Sequence, residues 1–93
     1  MLTADNDVRV AYEPAWSGPG WLVVYVGEEC FRTKRMHREQ FRSNVYWSKQ
    51  IPQRVARINR RVCWMFKGNC FWAEDGLSQH QVHALLKGSA AQR

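Results

Sequence analysis

Cys63-Trp64-Met65-Phe66-Lys67-Gly68-Asn69-Cys70-Phe71-Trp72 is the stretch whose reading decides the fold. Two short apolar, ring-rich runs flank a glycine-bearing turn, which is the pattern of a β-hairpin. Alternation sets Trp64 and Phe66 on one face and Cys63 and Met65 on the other, so both faces are apolar. One face is expected to close a core and the other to be left for a partner, with burial of both as the plainer alternative.

Upstream of the hairpin, Pro52 stands where a helix can begin, and Val55, Ile58 and Val62 follow at helical spacing. Arg54, Arg57 and Arg61 repeat with the same period, so this segment is predicted as a helix with an apolar stripe and an arginine stripe. A second amphipathic helix is predicted between Met36 and Trp47, with Met36, Phe41, Val45 and, at the edge of the stripe, Tyr46 inward and Arg35, Arg38 and Arg42 on the far side. Further upstream, Val8, Val10 and Tyr12 alternate, the Ser17-Gly18-Pro19-Gly20 cluster breaks the run, and Trp21–Val26 and Cys30–Lys34 resume it. These three segments predict an antiparallel meander. Downstream, Ser78 with Gln81 matches a capping box, Val82, Leu85 and Leu86 form one face, and Gly88 suits a helix end. The expectation is therefore one α+β domain over residues 1–93: a small antiparallel sheet made of the meander and the Trp-rich hairpin, about three short helices, and a frayed tail over 88–93.

Charge is sorted along the chain. Residues 31–61 hold ten Lys and Arg against the single acid Glu39, whereas the remainder carries four basic residues and seven acids. A field of one sign over a third of a small chain favours phosphates or an acidic protein surface; the alternative is a solvated face that aids solubility. Eight of the ten are arginine, which forks onto carboxylate or phosphate and tolerates desolvation better than lysine.

Catalytic groupings are weak. Glu28-Glu29 and Glu74-Asp75 are sequence neighbours in turn-like context, and neither glycine cluster has the order of a phosphate-cradling loop. No enzyme activity and no cofactor is expected. A zinc site built from Cys63, Cys70, His80 and His83 has poor spacing, and buried thiols with a solvated histidine pair are the preferred reading. Trp21–Val26, the longest apolar run, is far shorter than the roughly 20 residues of a membrane span. The polar, acidic start Met1–Asp7 does not have the order of a secretory signal, and three cysteines make no disulfide framework, so a cytoplasmic setting without membrane contact is expected.

Phe31-Arg32-Thr33-Lys34-Arg35-Met36-His37-Arg38-Glu39-Gln40-Phe41-Arg42 and Arg60-Arg61-Val62-Cys63-Trp64-Met65-Phe66-Lys67-Gly68 match no enzyme or standard DNA-binding motif. In size, basic middle and Trp-rich hairpin the chain resembles the lambdoid-phage anti-RecBCD proteins, small basic products of early operons. The resemblance implies a non-enzymatic phage protein that binds the host helicase-nuclease and inhibits or modulates it; it assigns no individual residues. The residues themselves nominate a partner-binding set of Arg35, Arg38, Arg42, Arg54, Arg57 and Arg61, with Trp47 and Trp64 as apolar anchors, although burial of Tyr46-Trp47 in the core is the plainer reading of that pair. Direct binding of DNA or RNA by an arginine-rich helix and exposed rings is the alternative.

Overall fold

The computed structural model describes residues 2–91. Chain order is β1 (Thr3–Ala4), β2 (Val8–Glu13), β3 (Gly20–Val26), β4 (Glu29–Met36), α1 (Arg38–Trp47), β5 (Gln53–Ile58), β6 (Arg61–Phe66), β7 (Asn69–Glu74) and α2 (Gln79–Ala91). The alternation of Val8, Val10 and Tyr12 forms β2, and β2-β3-β4 is the expected antiparallel meander. The Trp-rich hairpin is β6-β7, turning through Lys67 and Gly68 at φ 51° and 80°, as a two-residue hairpin loop requires.

The α+β class holds, but the strands form two antiparallel sheets, β2-β3-β4 and β1-β7-β6-β5, with two helices among the described residues. The helix expected after Pro52 is instead the β5-β6 hairpin. Its misleading period has a physical origin. A bulge at Val55 puts both Val55 and Ala56 opposite Cys63, so Arg54 pairs with Trp64 and Arg57 with Val62. The inserted residue leaves Arg54 and Arg57 on one sheet face at a spacing of three, which imitates a helix. The β-branched Val55, Ile58 and Val62 favour the strand that forms.

Both faces of the hairpin are sealed, contrary to the expectation of one open face. Cys63, Met65, Cys70 and Trp72 pack with Val55 and Ala56 against Val8, Leu22, Val24 and Met36 of the meander, with Phe41 and Val45 of α1 at the margin. On the opposite face Val62, Trp64 and Ala73 pack beneath Val82 of α2, with Leu77 and Leu86 alongside. Val82 is fully buried, whereas Leu85, expected on the same stripe, points outward. The capping box forms in both directions: Gln81 N–H donates to Ser78 Oγ at 3.1 Å and Ser78 N–H to Gln81 Oε1 at 2.9 Å. Gly88 does not end the helix, which continues to Ala91; positions 92 and 93 of the expected frayed tail lie outside the described residues.

Tyr12 of β2 is hydrogen-bonded to both other strands of the meander and packs on Phe41 of α1, ring centroids 5.6 Å apart. Its hydroxyl donates to Met36 O at 3.2 Å and accepts from Gly20 N–H at 3.1 Å. A β-carbon at Gly20 would run into the Glu13 carbonyl oxygen and the Tyr12 ring, so only glycine allows this approach.

Candidate functional site

The basic segment 31–61 supplies β4, α1, β5 and the turn that follows, and these lie side by side. β4 and β5 are the facing edge strands of the two sheets, and no backbone hydrogen bond joins them among the described residues. The bulged residues meet across this seam: the Thr33 hydroxyl stands 3.1 Å from Leu22 O and 3.2 Å from Val55 O, sharing one proton between them. An open groove of about 330 Å³ follows the seam, lined by Thr33, Lys34, Arg54, Val55, Ala56 and Arg57. Lys34 and Arg54 have no carboxylate partner among the described residues, while Arg57 donates to Asp75 at 2.8 Å in a half-exposed pair. The groove is therefore electropositive and open to solvent, a surface fitted to anionic groups and not to a sequestered small substrate.

α1 packs beside β5 and presents Arg38, Arg42, Tyr46 and Trp47 outward. Tyr46 and Trp47 meet edge to face, centroids 5.3 Å apart, and are 55% and 48% exposed. Trp47 thus remains available as an anchor. Trp64 does not: it is 4% exposed beneath α2, because the hairpin face that carries it is the one the capped helix covers.

The arginine set is divided by the sheets. Arg54 and Arg57 stand on the α2 side of β5, whereas Arg61 lies on the other side of β6, its guanidinium 4.7 Å from the Trp72 ring centroid. There it helps line a recess of about 130 Å³ with Val26, Glu29, Phe31, Ile58, Asn59 and Trp72, at the open end of the core. Arg61 thus shields a buried indole and does not join the groove. Arg38 stacks over Tyr12 at 5.0 Å, and Arg35 lies on the outward face of the meander, 5.0 Å over Trp21 and donating to Pro19 O at 2.9 Å.

The proposed zinc ligands are separated by the β6-β7 sheet. Cys63 and Cys70 point into the core shared with the meander, whereas α2, carrying His80 and His83, covers the opposite face, where His83 packs on Phe66 at 5.6 Å. Hydrogen bonding between the thiols and burial push Cys63 well above the usual thiol range; Cys70, as the acceptor, is lowered. Among the described residues no three metal-ligating side chains converge. Nor is any described helix long and apolar enough to cross a membrane.

The sequence reading passed over two features. Trp16, on the Pro14–Pro19 loop, is fully exposed, and Trp21 and Tyr25 lie half-buried on the outward face of β3. The continuous apolar run Trp21–Val26 conceals which face is outward. The signal lay in the neighbouring strands, where arginines at 9, 32 and 35 fall opposite Tyr25, Val23 and Trp21. Compared with family models, curated proteins and solved structures, the chain matches none.

Proposed function

We propose that this chain is a non-catalytic binding protein that docks on an acidic protein surface through β4, α1 and β5, and that its partner is a host complex acting on nucleic acid. The observation that carries the reading is the gathering of the basic segment along an open seam, with an exposed Tyr46–Trp47 pair on the helix beside it. Arginine and lysine at the rim steer the encounter, and a ring entering an apolar pocket supplies much of the affinity. The likeness to the anti-RecBCD proteins favours a bacterial helicase-nuclease as the target and the host cytoplasm as the setting. Occupying an acidic surface of such a machine inhibits or redirects it without chemistry by the bound chain.

The test is titration of the chain into a purified RecBCD-type helicase-nuclease while unwinding and nuclease activity are followed. Lys34→Glu with Arg54→Glu should weaken the effect about tenfold at low salt. Trp47→Ala should weaken it about thirtyfold, the cost of losing an interface ring. The three side chains are exposed, so their replacement leaves the core intact. The reading fails if the enzyme is unaffected and nuclease-treated bacterial lysate yields no nucleic-acid-processing protein on the immobilised chain.

A further inference from the structure

A different face carries a different ligand chemistry. On the outward side of the meander, β3 presents Trp21, Val23 and Tyr25 in succession. The two rings stand four residues apart, about 13 Å along the strand. Arg35 lies 5.0 Å over Trp21 and Arg9 4.9 Å over Tyr25, each from a neighbouring strand. Between the rings, Arg32 reaches Glu13 at 2.7 Å, from opposite sides of β3. Val23, between the two rings on this face, is only 1% exposed. The loop beyond Glu13 and Trp21 carries Trp16, fully exposed, and is fastened at its far end where Arg35 donates to Pro19 O.

The face thus offers three large rings and three guanidinium groups against one carboxylate. We infer that the outward face of the meander, extended by Trp16, binds single-stranded nucleic acid. Bases stack on guanidinium planes as well as on aromatic rings, so each Arg-over-ring pair is a stacking surface already assembled, and the cation beside it faces the phosphates. An open sheet with rings at successive outward positions suits splayed bases; a duplex keeps its bases inside its own stack. An acidic protein surface would use the cations, whereas a run of splayed bases would use the cations and the ring positions together. Packing alone accounts for Trp21 and Tyr25 beneath their arginines. Trp16, fully exposed on the adjoining loop, is a third ring beside the same face.

This site is separate from the β4–β5 groove, so its test is independent of the acidic-partner reading. Fluorescence anisotropy with labelled oligothymidylate and oligouridylate of about 20 nucleotides, and a duplex of equal length, supplies the measurement. Binding to the single strands should be tighter than to the duplex and should fall steeply with salt; the two oligomers distinguish DNA from RNA. Trp16→Ala, which removes a ring in contact with nothing, should weaken binding about tenfold. Arg9→Gln with Arg35→Gln should do the same, whereas Lys87→Gln, exposed on α2, should change it less than about twofold. The inference is overturned if single strands do not bind at low ionic strength, if the duplex binds as well, if Trp16→Ala has no effect, or if polyglutamate competes as effectively as the oligonucleotides.

Discussion

Arg60 occupies a position where the backbone asks for glycine. With Asn59 it forms the two-residue turn between Ile58 and Arg61, at φ 52° and 66°. Asparagine tolerates that region, but for arginine the left-handed conformation costs about 1 kcal/mol. Arg60→Gly should therefore raise stability by about 0.5–1 kcal/mol, less than the full strain because glycine also loosens the unfolded chain. Urea denaturation of the two proteins measures it, and a lower midpoint in the glycine variant would contradict the turn geometry. Other single residues are set by geometry that sequence does not display. Gly20 is fixed by the Tyr12 ring and a carbonyl oxygen, neither of which its neighbours announce.

α2 is the element whose presence was clearest in advance and whose role was not. Ser78 and Gln81 gave its start, because a reciprocal cap is a local arrangement that four residues specify by themselves. That it would cover Trp64 depends on tertiary packing, so the indole read as an anchor became core. Conversely, β5 was misread because one inserted residue at Val55 converts a period of two into three; bulges follow from sheet register, which is not local. The meander and the β6-β7 hairpin were legible because turn residues and alternation agree there. The placement of His83 on α2 predicts a pH-dependent stability. Desolvation against Phe66, then Lys87, His80 and Lys67, hold the His83 imidazole below its ordinary value. A histidine harder to protonate in the folded chain than in the unfolded one leaves the fold at full stability above the ordinary value near 6.5. Stability then declines as pH falls through it. His83→Gln should lessen the drop in urea midpoint between about pH 8 and pH 5; an identical drop would show that the helix docks without burdening this group.

Across the whole molecule, the strands run in the order β2-β3-β4, then β5-β6-β7-β1, so pairing β4 with β5 would make one uninterrupted sheet. The chain stops short of that closure. Bulges at Thr33 and Val55, together with Lys34, Arg54 and Arg57, are the features that commonly keep edge strands from pairing with each other or with a second chain. The net charge of +6 was plain from composition, yet its division into a seam and an outward sheet face was not, since both draw on β4. The unclosed seam also provides a means of telling ligands apart. Amide groups of β4 and β5 directed across it lack a strand partner and should trade their hydrogens for deuterium quickly, while those between β6 and β7 trade slowly. A protein lying in the groove should slow the first set. An oligonucleotide on the far face of the meander should leave them fast, so one mass-resolved exchange experiment would report which of the two surfaces is occupied.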